Sequence, residues 1–181
     1  MLGWMHTRLA LGLLAVVIQL VPGVGWAQVG ILPVRTPGPN ANGWNDTDVR
    51  VQFTCYTTRS GVTTTGVPAT LTTEGADQTV SGSCSGLTGG AMRITAGPIN
   101  IDKTPPVVTY TGNQGTYTPD QMVNITCTAT DDLSGVESTT CADITGLAAS
   151  FAPGLNTFSA TATDRAGNTG TGSTSFTVQV P

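Results

Sequence analysis

Apolar and polar residues alternate along several short stretches of this chain, which is the pattern of strands that bury one face. Residues 123–130 read VNITCTAT and residues 158–163 read FSATAT, with asparagine, serine or threonine between the apolar positions. No window has the apolar period of an amphipathic helix, and the turn signal DRAGN at 164–168 follows the second stretch directly. The pattern predicts an all-β fold of short strands, with further strands at Ser138–Ile144 and Ala148–Phe151.

One segment of the chain occurs twice, in residues 43–55 (GWNDTDVRVQFTC) and 115–127 (GTYTPDQMVNITC). Their first glycines, central valines and final cysteines align at one offset of 72 residues, the difference between positions 127 and 55. A repeat of this length is too long for a solenoid unit and long enough for a small domain. We therefore predict two modules: residues 43–102, with a first strand from residue 31, and residues 103–181.

The segments that flank the modules differ in composition from them. A Pro/Gly-rich lead-in occupies residues 28–42. The junction between the modules, INIDKTPPVV at 99–108, has no flexible Gly/Ser linker. Its two prolines fix the backbone φ angle, and we expect a stiff connection.

The N-terminus has the pattern of a signal peptide. Arg8 precedes an apolar run from Leu9 to Leu20, and the small residues Gly25 and Ala27 then fit the specificity of signal peptidase. We predict that residues 1–27 are removed. The alternative is an uncleaved membrane anchor, which would need an apolar run of about 20 residues. The run here is shorter, and cleavage is the favoured interpretation.

Removal of this segment changes the chemistry available to the chain. The only histidine is lost, and the loss of Arg8 leaves six of the seven basic residues against eleven acidic ones, a net charge of −5. Histidine-based catalysis and an electrostatic surface for nucleic acid are therefore not expected. No nucleophile-elbow, zincin or phosphate-loop motif occurs, and no second apolar stretch reaches transmembrane length. The composition predicts a protein that is not an enzyme, needs no cofactor and has no membrane span after cleavage.

Two segments of the second module resemble a known class of repeats. TCTATDDLSGV at 126–136 and TFSATATDRAGNTG at 157–170 are similar to the bacterial immunoglobulin-like repeats of exported and cell-surface proteins. These repeats are close to HYR and fibronectin type III-like modules. The resemblance covers residues 104–181 well and residues 40–102 less well, because the matching hairpin there reads SGSCSGLTGG. It implies two tandem immunoglobulin-like β-sandwich domains after a signal peptide.

The resemblance also implies a location and a role. Such modules act outside the cell or at its surface as spacers, display modules or adhesins, and a partner would be a surface protein or glycan. This structural or interaction role is the first expectation. The alternative is a glycan- or ligand-binding accessory module, on its own or within a larger exported enzyme.

Four cysteines follow the predicted signal peptide, as expected for an oxidising compartment. In an immunoglobulin-like sandwich, Cys127 and Cys141 would lie on opposite sheets. Cys84 is in phase with Ala162 of the second module and should point inward. We predict the disulfides Cys55–Cys84 and Cys127–Cys141, the one pairing that keeps each bridge within a module. Metal ligation is disfavoured because no C-x-x-C motif and no mature histidine are present.

A cluster of oxygen ligands is the first candidate site. In this topology the loop with Asp131 and Asp132 meets the hairpin with Asp164 and Asn168, at the end that faces Asp102 in the junction. Carboxylate and amide oxygens at a module joint could bind Ca²⁺ and stiffen it. The competing interpretation is that these residues only shape turns, as aspartate and asparagine often do.

Two aromatic residues are the second candidate site. Trp44 and Tyr117 precede the second strand of each module, and aromatic rings on a sandwich can form a platform for carbohydrate. The competing interpretation is that both rings only fill strand positions.

Overall fold

The computed structural model describes residues 29–57, 63–85 and 91–180. Within these ranges the fold is all-β, which confirms the fold class predicted from the alternating pattern. The strands before residue 102 are β1 (Val29–Thr36), β2 (Trp44–Asn45), β3 (Val49–Thr57), β4 (Thr63–Thr65), β5 (Ala69–Leu71), β6 (Gly75–Ser85) and β7 (Ala91–Ile101). Those after it are β8 (Val107–Thr111), β9 (Thr116–Tyr117), β10 (Met122–Thr130), β11 (Val136–Thr139), β12 (Ile144–Leu147), β13 (Gly154–Asp164) and β14 (Thr169–Val178). The predicted signal peptide, with its cleavage site after Ala27, lies outside the described residues.

The N-terminal half, defined here as residues 29–102, contains two sheets. In one sheet β3 pairs with β1 on one side and with β4 and β5 on the other. The other sheet has the order β2-β7-β6, with β2 parallel to β7. Both sheets contribute to one buried apolar cluster, as expected for a sandwich. Its members are Ile31, Val49, Val51, Phe53, Cys55, Cys84, Ala96, Ile99 and Ile101.

The C-terminal half, residues 103–180, also contains two sheets. Their orders are β12-β10-β8 and β11-β13-β14-β9, with β9 parallel to β14. The core lies between them in two clusters, the larger of which is rich in aromatic rings. That cluster contains Tyr117, Val123, Ile125, Ile144, Ala148, Phe176 and Val178, with Tyr110, Phe151 and Phe158 packed against it.

The alternating pattern placed the long strands correctly. Val123 and Ile125 on β10 are fully buried, and so are Val51 and Phe53 on β3. Two other predicted strands are wrong in detail. Residues 138–144 are split between β11 and β12 by a loop, and residues 148–150 form a single 3₁₀ turn in which the Phe151 amide donates to the carbonyl of Ala148. No helix among the described residues has the length and apolarity needed to cross a bilayer.

Both halves contain a disulfide, which confirms that the chain is disulfide-bonded. Cys55 on β3 is joined to Cys84 on β6, and this buried bridge crosses between the two sheets of the N-terminal half. Cys127 on β10 is joined to Cys141, which lies in the loop between β11 and β12 and not on a strand as expected. These are the two pairs that the sequence predicted. The first bridge ties the sheets together through the core, whereas the second fastens a surface loop to a strand.

Candidate functional site at the joint between the two halves

Three aspartate side chains converge where the halves meet. Asp102 follows β7, Asp131 follows β10 and Asp164 ends β13, and a carboxylate oxygen of each lies within 4.8 Å of the others. Asp102 and Asp164 are 0% exposed, while Asp131 is half-buried. Within residues 29–57, 63–85 and 91–180, none of the three forms an ion pair with lysine or arginine. Since buried carboxylates are costly without compensation, their hydrogen-bond donors decide how the joint is held.

Asp102 forms hydrogen bonds on both sides of the joint. Its Oδ1 accepts a hydrogen bond from the amide of Thr104 at 3.1 Å, and its Oδ2 accepts one from the amide of Ser134 at 2.9 Å. The backbone carbonyl of Asp102 accepts a hydrogen bond from Nδ2 of Asn168 at 2.9 Å, and its own amide donates to the carbonyl of Asn45. A single residue is thereby bound to the N-terminal half through Asn45 and to the C-terminal half through two loops.

Asp131 shapes the loop that reaches Asp102. Its Oδ1 accepts hydrogen bonds from the amides of Leu133 at 3.2 Å and Gly135 at 2.6 Å. Aspartate commonly closes turns in this way, and Gly135 takes a positive φ of 79°, which a side chain would disfavour. The turn directs the amide of Ser134, itself buried, towards Asp102.

Asp164 shapes the second loop, the hairpin between β13 and β14. Its Oδ1 accepts hydrogen bonds from the amides of Gly167 at 2.7 Å and Asn168 at 2.9 Å. Its Oδ2 accepts a third from Nδ2 of Asn168 at 2.8 Å, and that same Nδ2 donates to the carbonyl of Asp102. The hairpin therefore presents Asn168 as a donor to the joint.

The predicted calcium ligands fall into two groups in the structure. Asp102, Asp131 and Asp164 come together, whereas Asp132 is exposed and lies outside their cluster. Asn168 directs its amide nitrogen at the cluster and acts there as a donor, not as an oxygen ligand. The three carboxylates are the residues that could hold a divalent cation, but Ca²⁺ takes six to eight oxygen ligands in proteins. Calcium binding at this joint stays a prediction of the sequence.

Residues of the lead-in, which sequence reasoning left out of the site, also hold the joint. Nδ2 of Asn40 donates to the carbonyls of Arg165 at 2.8 Å and Ala166 at 3.0 Å, and Nδ2 of Asn42 donates to the carbonyl of Arg165 at 3.2 Å. Oδ1 of Asn40 accepts the amides of Asn42 and Trp44, which keeps this loop folded. The only local signal was the turn-forming pair of asparagines, because the partners lie more than a hundred residues away.

The segment after Asp102 is tied back to the N-terminal half. The Lys103 ammonium pairs with Asp48 at 2.8 Å and donates to the carbonyl of Thr72 at 2.7 Å. The carboxylate of Glu74 accepts the amide of Lys103 and the hydroxyl of Thr104. The short connection between the halves is therefore fixed at each residue that precedes the two prolines.

The two aromatic candidates have different surroundings. Tyr117 is 0% exposed, its ring packs edge-on against Phe176 at 5.3 Å, and its hydroxyl oxygen accepts the amide of Gln114. Because this ring is part of the core, the prediction that Tyr117 binds carbohydrate is wrong. Trp44 is half-buried and lies on β2.

A cavity of about 320 Å³ opens elsewhere on the C-terminal half, beside the Cys127–Cys141 loop. Half-buried aromatic rings form its apolar side, and exposed polar residues of the loop and of β13 form its rim. It is lined by Tyr110, Thr140, Ala142, Asp143, Ile144, Thr145, Phe151, Phe158 and Ser159. This combination of rings and hydroxyls is of the kind that binds small polar ligands.

Two ionisable groups away from the joint have shifted pKa values. The hydroxyl of Thr118 donates to Asp120 at 2.6 Å and lowers the pKa of that exposed carboxyl, with a smaller contribution from a backbone hydrogen bond. Burial lowers the pKa of Arg35, whose Nη1 donates to the carbonyl of Pro98 at 2.8 Å. Arginine nevertheless keeps its charge in proteins, and this shift has no consequence for function.

Comparisons with protein-family models, with curated proteins and with solved structures give no match for this chain.

Proposed function

We propose that this chain is an exported structural or interaction protein, built from two tandem immunoglobulin-like modules that space, display or adhere at the cell surface or outside the cell. The all-β fold with paired sheets and one disulfide in each half supports this proposal. Disulfides of this kind persist in oxidising compartments. The acidic balance of the chain and its lack of a mature histidine favour a partner other than nucleic acid and a role without catalysis.

The order of the strands supports the division into two modules. In the part of the chain that the structure describes, each half has seven strands, a two-residue second strand parallel to the last strand, and a third strand that carries the first cysteine. The repeated segments in the sequence include these second and third strands. A first module that begins at β1, followed by a second from residue 103, fits both the repeat and the sheets.

The observation that carries the proposal is the hydrogen-bonded joint. Asp102 and Asn40 connect residues of the two halves through backbone groups, and no flexible linker separates β7 from β8. Buried hydrogen bonds to a charged group contribute about 1.5–3 kcal/mol each. A joint built in this way holds one orientation, which is what a spacer or display module requires and what an independent pair of domains lacks.

Residual dipolar couplings and small-angle scattering of the purified protein test this proposal. We expect the dipolar couplings of both halves to fit a single alignment tensor. We expect the scattering data to fit one rigid particle with a single maximum dimension. The triple variant Asn40→Ala/Asn42→Ala/Asp102→Ala should give separate tensors, because it removes the side-chain contacts of Asn40, Asn42 and Asp102 that cross the joint. Asn113→Ala, which removes amide hydrogen bonds within the C-terminal half alone, is the control and should keep a single tensor. Two independent tensors in the unaltered protein would contradict a rigid spacer.

The cavity beside the Cys127–Cys141 loop favours a second candidate function, a glycan- or ligand-binding accessory module. A glycan-array screen would detect it. We expect Ala142→Trp to abolish binding by filling the cavity, while Leu155→Trp, which adds the same ring at an exposed position of β13 away from it, should not. Loss of binding in Trp44→Ala with retention in Ala142→Trp would place the ligand at Trp44 instead.

A further inference from the structure

The two disulfides differ in how well they are shielded from solvent. Cys55 and Cys84 are 4% and 3% exposed, and both belong to the buried cluster of the N-terminal half. Cys127 and Cys141 are half-buried and pack against a small cluster of the C-terminal core. A thiol in solution reduces a disulfide by reaching one of its sulfurs, and accessible bridges exchange most readily. The second bridge is therefore the one open to exchange.

The loop that contains Cys141 crosses from one sheet to the other. Its start is paired to β13 through Thr139, and its end is paired to β10 through Ile144. Residues 140–143 between these two points belong to no strand. The bridge to Cys127 thus fastens the middle of a crossing loop, and it can be broken without the loss of a strand pair.

The cavity of about 320 Å³ lies beside this bridge. Thr140 and Ala142, the two neighbours of Cys141 in the chain, are exposed and line the cavity. A cavity of this size accommodates a small molecule. A small reagent in the cavity therefore lies next to the chain on both sides of Cys141.

We infer that Cys127–Cys141 is a site of thiol–disulfide exchange with low-molecular-weight thiols that approach through the cavity, and that its reduction releases the loop beside the cavity. In the first step a thiolate attacks the sulfur of Cys141, the S–S bond to Cys127 breaks, and Cys127 leaves as a thiolate that takes a proton from water. In the second step another thiolate attacks the sulfur of the bound reagent, and Cys141 leaves as a thiolate. The protein gains two electrons, and two thiols become one disulfide.

Among the described contacts, hydrogen bonds are what remain at residues 140–143 after reduction. Oδ1 of Asp143 accepts the amide of Cys127 at 2.9 Å, and the amide of Thr140 donates to the carbonyl of Thr161 at 2.9 Å. Water competes for exposed groups such as these, so they hold the loop less firmly than a covalent bridge. The loop should therefore open more often in the reduced protein, and the cavity would lose a fixed wall.

This control of the cavity rests on the second candidate function, ligand binding in the cavity, whereas the exchange reaction does not. The rest of the C-terminal half should stay folded, because its larger aromatic cluster contains neither cysteine. Reduction is thus expected to act on the loop and not on the core.

Reduction of the purified protein by glutathione tests the inference, with thiols trapped by N-ethylmaleimide and located by mass spectrometry of peptides. The Cys127–Cys141 bridge should be reduced about tenfold faster or more than Cys55–Cys84, which is the control within the same molecule.

Two matched variants test the approach through the cavity. Ala142→Trp, which fills the cavity next to Cys141, should slow the reduction roughly fivefold or more. Leu155→Trp adds the same ring at an exposed position away from the cavity and should leave the rate unchanged.

Hydrogen exchange of the reduced protein measures the release of the loop. The amide of Cys127, which donates to Asp143, should exchange about tenfold faster or more after reduction, while the amides of β14 should keep their protection. Cys127→Ser/Cys141→Ser should give the same change at this position without any thiol reagent.

Each contrary result overturns the inference. Equal rates at the two bridges, or faster reduction of Cys55–Cys84, would exclude selective exchange, and an unchanged rate in Ala142→Trp would exclude the approach through the cavity. Unchanged exchange at Cys127, or loss of protection throughout the C-terminal half, would show that reduction does not act on the loop alone. If the exchange behaves as expected but no glycan or other ligand binds, the second candidate function is refuted and the exchange site stands.

Discussion

Each half of the molecule has a strand that contains its first cysteine, β3 in the N-terminal half and β10 in the C-terminal half. The halves differ in which sheet the next strand joins. In the C-terminal half β11 crosses to the sheet of β13, whereas in the N-terminal half β4 stays beside β3. The separation from Cys55 to Cys84 is 29 residues, and that from Cys127 to Ala162, the residue in phase with Cys84, is 35 (162 minus 127). The shorter connection leaves six residues fewer for a crossing strand. The half with the shorter connection is the one in which this strand stays beside the cysteine strand.

The cores of the two halves differ as well. The C-terminal core contains Tyr117 and Phe176 with Phe151 and Phe158 packed around them. Among the side chains that the structure describes, the buried N-terminal cluster has a single ring, Phe53. At the position that matches Tyr117 in the repeat, the N-terminal half has Asn45, a buried residue whose Oδ1 finds no hydrogen-bond partner among the residues that the structure describes. With fewer rings, the N-terminal half depends more on one side chain and on a disulfide within its core.

The largest expected effect is that of Phe53→Ala. The Phe53 ring is fully buried and fills the space beside Gly82, where an added Cβ would lie 2.3 Å from ring carbon Cγ. Loss of the ring should lower the free energy of unfolding of the N-terminal half by about 3–5 kcal/mol. Chemical denaturation followed by Trp44 fluorescence measures this. Phe151→Ala, at a half-buried ring among three others, is expected to cost less, and an equal or larger cost would contradict the comparison.

Removal of the disulfides should have the next largest effect. By loop entropy, Cys55–Cys84 with a separation of 29 residues contributes about 3.6 kcal/mol, and Cys127–Cys141 with a separation of 14 contributes about 3 kcal/mol. Burial of Cys55 and Cys84 should widen this difference. Calorimetric unfolding of Cys55→Ala/Cys84→Ala and Cys127→Ala/Cys141→Ala compares them. A greater loss of stability on removal of Cys127–Cys141 would show that burial in the core does not determine how much a disulfide contributes to stability.

Asp102→Ala tests whether the joint couples the halves. The substitution leaves the buried amide of Ser134 without its acceptor, which typically costs about 1–3 kcal/mol. Thermal unfolding should separate into two transitions as the contacts across the joint are lost. Asp132→Ala, at an exposed carboxylate beside the cluster, is the control and should change stability by less than about 0.5 kcal/mol. Equal effects of the two substitutions would argue against a role for Asp102.

The calcium prediction distinguishes the two halves by the carboxylates at the joint. Among the described residues, the loops of the C-terminal half are the ones that bring further carboxylates, those of Asp131 and Asp164, to Asp102. At ten times its dissociation constant, bound Ca²⁺ should stabilise the protein by about 1.4 kcal/mol. Titration calorimetry of the purified protein measures binding. Asp131→Asn should abolish it while its side chain still accepts from Gly135, and Asp132→Asn should retain it. The absence of binding below millimolar Ca²⁺ would refute the prediction.

The smallest expected effect compares Asp48 and Asp120, which match in the repeat. Asp48 pairs with Lys103, while Asp120 has its pKa lowered by the hydroxyl of Thr118. A carboxyl with a lowered pKa in the folded state contributes stability above its unfolded pKa and loses it as the pH falls through the folded pKa. Thr118→Ala should raise the pKa of Asp120 towards its ordinary value, as measured by an NMR titration. An unchanged pKa would show that the hydroxyl is not its cause.

The sequence predicted those features that depend on the local alternation of apolar and polar residues, or on which face of a strand a residue occupies. Alternation identified β10 and β13 because each buries one face, and the phase of Cys84 with Ala162 identified the bridge partners. The convergence of Asp131, Asp164 and Asp102 followed from the expected strand order. These signals survive in a sequence because the side-chain period of a strand and the order of hairpins need no long-range information.

Other features depend on contacts that no local pattern contains. Asp131 and Asp132 are adjacent, and the turn closed by Gly135 decides which of them faces the joint. Tyr117 became a core residue because the short strand β9 pairs with β14, some sixty residues later. The contact of Asn40 with the hairpin at Arg165 spans 125 residues. In each case the position of one side chain is decided by a partner distant in the chain.

The disulfides also limit how far each half can lengthen under tension. If the ends of the chain were pulled apart, the segment inside each disulfide loop could not extend. The cysteines of these loops are 29 residues apart at Cys55–Cys84 and 14 residues apart at Cys127–Cys141. An extended chain spans about 3.4 Å per residue, which corresponds to about 100 Å and about 48 Å of contour length kept out of the stretched molecule. The N-terminal half, which has the smaller aromatic core, is thus the half whose disulfide excludes the greater contour length from extension.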